Sequence, residues 1–209
     1  MKIAILVFDK LVALDAIAPY EVLSRLPGAE LSFVAKDTGM KRTDTGALGI
    51  GADRTLEELT DPDIVLVPGG EGNRPLLDDD EVLGWLRSAH EGTTWTTSVC
   101  TGALVLGAAG ILDGLRATTH WAYRERLRAY GAEPVTERVV FEGKVVTAAG
   151  VSSGIDMALR LAAEIAGEQV AQAIQLGIEY DPEPPFDAGS PEKAPPELVE
   201  FVRNLEGEG

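Results

Sequence analysis

The sequence predicts an α/β fold in which a mostly parallel sheet carries helices on both faces. Short, continuously apolar runs, such as Ile3 to Phe8 and Ile64 to Val67, are typical of strands buried on both sides. Between such runs lie segments of helical periodicity: Ala158 to Ile165 places apolar residues at i, i+3, i+4 and i+7. Strands that alternate with helices indicate a parallel sheet, whose ligand sites lie beyond the carboxyl ends of its strands.

The N-terminal half contains six predicted elements. Pro19 suits the first turn of the first helix, and Pro27 with Gly28 ends it. Glycines at three positions favour a hairpin over a helix near residue 46. In chain order the elements are a strand over Ile3 to Phe8, a helix over Ala16 to Leu26, a strand over Leu31 to Ala35, a hairpin over Lys41 to Gly51, a strand over Ile64 to Val67, and a helix over Glu81 to His90.

The C-terminal half continues the alternation and then becomes rich in proline. From about residue 181 the chain is expected to run extended before a last short helix, so residues 1–209 form a single domain with an extended tail. The predicted elements are a strand over Thr93 to Val99, a helix over Thr101 to Ala109, a short strand over Ala117 to Thr119, a helix over Trp121 to Tyr130, a hairpin over Arg138 to Thr147, the helix containing residues 158–165, and a helix over Glu168 to Ile178.

Composition excludes several classes of function. A formal net charge of −16 argues against nucleic acid and anionic membranes as partners, because both attract clustered Lys and Arg. No apolar run approaches the roughly 20 residues that span a bilayer. One cysteine cannot form an internal disulfide, so a cytoplasmic location is expected. One Cys and two His without paired ligand spacing predict no metal site, and the absence of dinucleotide and P-loop motifs predicts no cofactor.

Cys100 lies where a strand ends and a helix begins within two residues. A nucleophile on such a sharp turn requires small neighbours two positions before and after it, and Ser98 and Gly102 meet that requirement. Amide groups at the start of a helix favour a thiolate, and cysteines so placed have pKa values of about 3.5–7.5. The alternative interpretation is a small buried apolar residue.

Pro68, Gly69 and Gly70 follow the strand that ends at Val67, at the same edge of the sheet as Cys100. Glycines allow main-chain N–H groups to approach a ligand closely, so the N–H groups of Gly70 and Thr101 are a candidate oxyanion hole. An ordinary turn is the alternative interpretation of the glycine pair.

Asp15 and His120 complete the candidate site. Asp15 follows the first strand, and a carboxyl group beside a thiol would have a raised pKa and could exchange a proton with it. A helix N-cap is the alternative for Asp15. His120 ends a short strand, from which it could reach Cys100 or cap the following helix.

These segments resemble the ThiJ/PfpI superfamily, that of the parkinsonism-associated deglycase, and within it the isonitrile hydratases. The resemblance rests on the stretches Ser98-Val99-Cys100-Thr101-Gly102-Ala103 and Ala117-Thr118-Thr119-His120-Trp121 and extends over almost the whole chain. It implies a flavodoxin-like three-layer sandwich, similar to class I glutamine amidotransferases, and usually a homodimer.

The resemblance also implies roles for individual residues. Cys100 matches the nucleophile, Asp15 the acid, and Thr101 a neighbour implicated in hydratase activity. Most of the superfamily carries Glu where this chain has Asp15, which favours the hydratase branch. The implied function is hydration of an isonitrile to an N-substituted formamide through a cysteine thioimidate. An amidase, peptidase, glyoxalase or deglycase activity at the same cysteine and a cysteine redox sensor are the alternatives.

Overall fold

The centre of the molecule is a seven-stranded sheet, seen in a computed structural model that describes residues 1–207. The described strands are β1 (Lys2–Leu6), β2 (Glu30–Ala35), β3 (Gly39–Arg42), β4 (Gly49–Ala52), β5 (Arg54–Thr55), β6 (Ile64–Val67), β7 (Trp95–Val99), β8 (Arg116–Ala117), β9 (Glu133–Pro134), β10 (Val139–Glu142) and β11 (Val145–Ala148). The sheet has the order β10-β11-β7-β6-β1-β2-β5, and all its pairs are parallel except β10 with β11.

Helices cover the sheet in two groups. The α-helices are α1 (Ala13–Leu23), α2 (Asp80–Gly92), α3 (Gly102–Ala108), α4 (Ser153–Ala166), α5 (Glu168–Gly177) and α6 (Pro196–Gly207). Glu71–Asn73, Pro75–Asp78 and Trp121–Tyr130 are 3-10 helices. Helix α4 packs on α1 and α5, whereas α2 packs on α3. The fold is therefore the predicted α/β sandwich of flavodoxin-like type.

The apolar runs form the central strands for the reason that the sequence suggested. Strands β1 and β6 lie beside each other in the middle of the sheet, with helices on both faces, and Ile5 and Leu66 have no exposed surface. A strand that is buried on both faces gains from apolar residues at every position rather than at alternate ones. The core is accordingly continuous through both sides of the sheet.

The order of the strands reverses beside β1. From β1 the chain passes through α1 to β2 on one side, and β6 and β7 lie on the other side. In open parallel sheets such a reversal opens a crevice at the carboxyl ends of the strands. The segments that follow β1, β6 and β7 all meet there.

Helix α1 begins earlier than predicted, at Ala13 rather than Ala16. The N–H of Val12 donates to the Gly69 carbonyl (2.9 Å), which fixes the chain at the end of β6 and starts the first turn there. Asp15 is therefore the third residue of the helix, and its N-cap interpretation is wrong. Pro19 lies in the interior of the helix rather than in its first turn. Its ring packs against Gly154 of α4.

The short strand predicted for Ala117 to Thr119 is β8, which ends at Ala117 and pairs with β9 outside the main sheet. Thr119 lies beyond its end and donates its hydroxyl hydrogen bond to the Cys100 carbonyl. His90, at the end of α2, is partly buried, with Nδ1 2.8 Å from the Thr96 hydroxyl. The Trp121–Tyr130 segment is helical as predicted, although with 3-10 geometry.

Residues 181–195, where the sequence predicts an extended tail, contain neither helix nor strand and lead into α6. The other predicted elements are present, with ends that differ by a few residues. Within residues 1–207, no helix combines the length and apolar character needed to cross a membrane.

Candidate active site around Cys100

Cys100 forms the sharp turn between β7 and α3. Its φ of +57° lies in the left-handed region, which side chains other than glycine seldom adopt. Main-chain contacts fix this conformation: the Cys100 N–H donates to the Ala149 carbonyl (2.9 Å), and the Cys100 carbonyl accepts from the Thr119 hydroxyl (2.6 Å). Such strain persists only where the surroundings impose it, and it is common at functional sites.

Gly102 makes the turn possible. A Cβ atom at this position would lie 2.0 Å from the Val67 carbonyl oxygen, so the start of α3 touches the end of β6 directly. Ser98, on the other side of the turn, is completely buried. The prediction that both neighbours must be small is confirmed, because the backbone of the turn lies against the adjacent strand.

Asp15 lies beside Cys100 and has no exposed surface. Its Oδ2 accepts a hydrogen bond from the Gly69 N–H (2.9 Å). Burial raises the pKa of this carboxyl from 3.8 to about 7, although hydrogen bonds from Gly69 and from the Cys100 side chain act in the opposite direction, and the nearby charge of Asp44 adds to the increase. Both protonation states of Asp15 are therefore accessible near neutral pH.

Asp15 lies behind Cys100 rather than in the wall of the cavity into which Cys100 opens. Helix α1 is drawn against the end of β6 by the contacts of Val12 and Asp15 with Gly69, so the carboxyl group points inward.

The glycine pair brings β6 into contact with the Cys100 turn. A Cβ atom on Gly69 would lie 2.6 Å from both the main-chain nitrogen and the hydroxyl of Thr101 and 3.0 Å from Asp15 Oδ2. The φ of Gly70 is +131°, a conformation that requires glycine. The glycines are needed here because segments of the protein's own backbone meet, and the approach of their N–H groups to a ligand stays a prediction.

The Gly70 N–H, however, donates to the Thr101 hydroxyl (3.0 Å). It does not point freely into the cavity, as the predicted oxyanion hole requires, because the Thr101 side chain extends back across the crevice to it. A hydroxyl that accepts one hydrogen bond retains a proton to donate. Thr101, which lines the cavity, therefore stands between the Gly70 donor and any bound molecule.

Asn73 is a site residue that sequence reasoning missed. Its side-chain amide donates to the Thr101 carbonyl (2.9 Å), and only 4% of its surface is exposed. It follows β6 in the Glu71–Asn73 3-10 helix, where the sequence contains no recognisable motif. Its contact holds the residue next to Cys100 in position.

His120 caps the helix that follows it, which is one of its two predicted alternatives. Its Nδ1 accepts from the Ala122 N–H (3.4 Å) at the start of the 3-10 helix, and its ring lines the same cavity as Cys100. Gly150 leaves room for the ring, since a Cβ atom there would lie 2.6 Å from His120 Cδ2. With Nδ1 as an acceptor, a neutral His120 carries its proton on Nε2.

These residues surround a cavity of about 380 Å³ in which Cys100 is 5% exposed. Apolar and charged side chains share the wall, which consists of Val12, Asp44, Gly70, Glu71, Asn73, Arg74, Leu77, Cys100, Thr101, Leu104, His120, Tyr123, Arg126, Val151 and Leu205. Across residues 1–207, no three His, Cys, Asp or Glu side chains are grouped as metal ligands.

The chain is similar to proteins of known name. The chain is 45% identical to isonitrile hydratase of Pseudomonas putida over 203 residues, which cover 97% of this chain and 89% of the relative. It is 23% identical to the glutathione-independent glyoxalase DJR-1.2 of Caenorhabditis elegans over 163 residues, which cover 77% of this chain and 86% of that one.

A ThiJ/PfpI family protein from Pseudomonas syringae has the same structure, with a TM-score of 0.96 and 36% identity over 99% of this chain and 86% of its own. The sequence model of the DJ-1/PfpI family matches residues 1–164, which include Asp15, Gly70, Cys100, Thr101 and His120. The chain belongs to the DJ-1/PfpI family.

Proposed function

We propose that this protein is an isonitrile hydratase in which Cys100 is the nucleophile and Asp15 its proton acceptor. The observation that carries the proposal is the pairing of the chain's only cysteine, at the wall of a cavity, with a buried carboxyl group whose pKa is about 7. The 45% identity to isonitrile hydratase of Pseudomonas putida supports the choice of substrate.

In the first step the Cys100 thiol passes its proton to Asp15, and the thiolate sulfur forms a bond to the terminal carbon of the isonitrile. A general base is most effective when its pKa is near the working pH, as it is here for Asp15. The proton then passes from Asp15 to the same carbon, which its new bond to the Cys100 sulfur brings next to the carboxyl group. The product is a thioimidate, Cys–S–CH=N–R, in which sulfur, carbon and proton all derive from thiol and isonitrile.

In the second step water adds to the thioimidate carbon. The carbon–sulfur bond then breaks, which releases the N-substituted formamide and regenerates the Cys100 thiol. Negative charge develops on the substrate nitrogen as water adds to the carbon–nitrogen double bond, and the Thr101 hydroxyl, polarised by the Gly70 N–H, is the donor placed at the cavity wall to stabilise it. Covalent catalysis of this kind divides one difficult reaction into two easier ones.

The test is the conversion of cyclohexyl isocyanide to N-cyclohexylformamide by purified variants. Cys100→Ala is expected to lower kcat/KM by at least about 10³-fold, and Asp15→Asn by about 10²–10⁴-fold, the range of general acid–base catalysis. Thr101→Val should lower kcat more than it raises KM, because its donor acts mainly as charge develops. Asp53→Asn, an exposed carboxyl, is the control and should leave the rate unchanged.

Wild-type rates in the Cys100→Ala or Asp15→Asn variant would contradict this mechanism. A panel that includes methylglyoxal and small amides separates the glyoxalase and amidase alternatives, since DJ-1/PfpI relatives include a glyoxalase. Oxidation of Cys100 by mild peroxide, without turnover of any substrate in the panel, would instead favour a redox sensor.

A further inference from the structure

The C-terminal tail reaches the catalytic cavity. The family model matches residues 1–164, and helix α6 begins at Pro196, well beyond that match. Leu205 of α6 is nevertheless one of the residues that line the cavity into which Cys100 opens. One part of the cavity wall therefore comes from a segment outside the matched domain.

The tail is fixed where it leaves the domain. The Tyr180 hydroxyl donates to Asp156 (3.0 Å), and Asp156 also pairs with Arg138 (2.6 Å). Further on, the Lys193 N–H closes a turn onto the Ser190 carbonyl (3.1 Å). That turn reverses the chain, so α6 returns towards the domain.

Helix α6 returns to the Trp121–Tyr130 3-10 helix, which supplies Tyr123 and Arg126 to the cavity wall. The Arg203 guanidinium lies 5.7 Å from the centre of the Trp121 ring, within the range of a cation–π contact. Arg203 thus contacts this 3-10 helix, and Leu205, two residues further on, lines the cavity. The contact places α6 across its wall.

This helix does not contribute to the hydrophobic core. Leu198, Phe201 and Leu205 are 48%, 60% and 58% exposed, and none of the α6 residues whose burial the structure describes belongs to the core. An apolar side chain that adds nothing to the core, and that lines a substrate-sized cavity, is placed to contact a ligand.

We propose that Leu205 is a specificity-determining residue, which contacts the apolar substituent of the substrate while Cys100 attacks its reactive carbon. With Val12, Leu77, Leu104 and Val151 it gives the cavity an apolar surface. Given the proposed function, the favoured substrates are isonitriles with a bulky apolar substituent on nitrogen. Small or charged isonitriles leave this surface unused.

Steady-state kinetics with methyl and cyclohexyl isocyanide measure the contact. Leu205→Ala is expected to raise KM for the cyclohexyl substrate by about 5- to 10-fold with little change in kcat, because the contact is made equally in the ground and transition states. The KM for the methyl substrate should change by less than about twofold in the same variant. Leu198→Ala, an exposed leucine of the same helix outside the cavity wall, is the matched control.

Alkylation of Cys100 tests the contact without any turnover. Cys100 is the only cysteine, so mass spectrometry of the intact protein reports its modification alone. We compare the rate with N-cyclohexylmaleimide to the rate with iodoacetamide. The ratio should fall in Leu205→Ala and stay at the wild-type value in Leu198→Ala, since only the apolar reagent uses the Leu205 surface.

The alkylation ratio decides the inference. An unchanged ratio in Leu205→Ala, or an equal fall in Leu198→Ala, overturns it. If wild-type protein hydrates no isonitrile while the ratio still falls only in Leu205→Ala, the proposed function is wrong and the role of Leu205 stands.

Discussion

Asp15 lies beneath the Cys100 turn with its whole side chain shielded from solvent. Removing water disfavours the charged carboxylate, and this effect exceeds the stabilisation from the Gly69 N–H and the Cys100 side chain. In its charged form, the buried carboxylate therefore lowers the stability of the folded protein. A burial of this kind is typical of groups that serve chemistry rather than folding.

This burial has a consequence for stability against pH. The folded-state pKa of Asp15, about 7, lies above its ordinary value of 3.8, so between these values the folded protein binds more protons than the unfolded chain. The free energy of unfolding therefore falls as the pH rises through this range, by about 2–3 kcal/mol between pH 5 and pH 8. Asp15→Asn lacks this titration and should be more stable relative to wild type at pH 8 than at pH 5.

Urea unfolding of wild type and Asp15→Asn at the two pH values measures the difference. Asp53→Asn, at an exposed position, serves as the control for the loss of one negative charge. A difference between Asp15→Asn and wild type that is the same at both pH values would show that Asp15 ionises as readily in the folded protein as in the unfolded chain.

At the scale of elements, the site is made where three strand ends meet. The segments after β1, β6 and β7 bring Asp15, Gly69 and Cys100 together, although 54 residues separate Asp15 from Gly69. The strands are parallel, so their carboxyl ends share one edge of the sheet. The strands thus fix the positions of the segments that follow them, and those segments contain the residues of the candidate site.

Gly102 offers a direct test of this arrangement. Gly102→Ala would place a methyl group against the Val67 carbonyl and force β6 and α3 apart, with an expected loss of about 2–4 kcal/mol in the free energy of unfolding. Gly84→Ala in α2 is the matched control, because nothing lies within 4 Å of its Cβ position. The free energy of unfolding of this control should rise by about 0.5–1 kcal/mol, because alanine loses less backbone entropy than glycine on entering a helix.

Denaturant unfolding measures the stability of both variants. The rate of Cys100 alkylation is the second measurement. The displaced turn in Gly102→Ala should also change that alkylation rate, whereas Gly84→Ala should not. Equal stability of Gly102→Ala and wild type would mean that the backbone contact between α3 and β6 is looser than its geometry indicates.

At the scale of the whole molecule, the core ends before the tail begins. The apolar residues packed on the core extend to Ile178, and the Pro-rich segment and α6 lie on the surface. Residues 1–181 therefore contain all the strands described and helices α1 to α5. The single domain, the homodimer and the cytoplasmic location stay predictions.

Removal of residues 182–209 tests this division. The shortened chain keeps the Tyr180–Asp156 hydrogen bond and is expected to unfold in one cooperative transition, with a midpoint lowered by less than about 5 °C. Thermal unfolding followed by circular dichroism provides the measurement, with the full-length protein as the reference. A non-cooperative transition, or an aggregated product, would show that the tail belongs to the folding unit.

The sequence by itself determined the fold class, the turn at Cys100 and the need for glycine at positions 69 and 70. Each of these depends on local chemistry, namely apolar runs that need burial on both faces, small residues around a sharp turn, and glycines in a tight turn after a strand. The role of Asp15 stays a prediction, and its place behind the cysteine was visible only in the structure. The signal for each lay within a few adjacent residues.

Only the tertiary structure decided the remainder of the site. The Asn73 contact with Thr101, the engagement of the Gly70 N–H and the approach of Leu205 each join residues that are distant along the chain. No local pattern encodes such contacts, because they depend on where separate segments pack. The pKa of Asp15 belongs with them, since the removal of water that raises it is a property of the folded molecule.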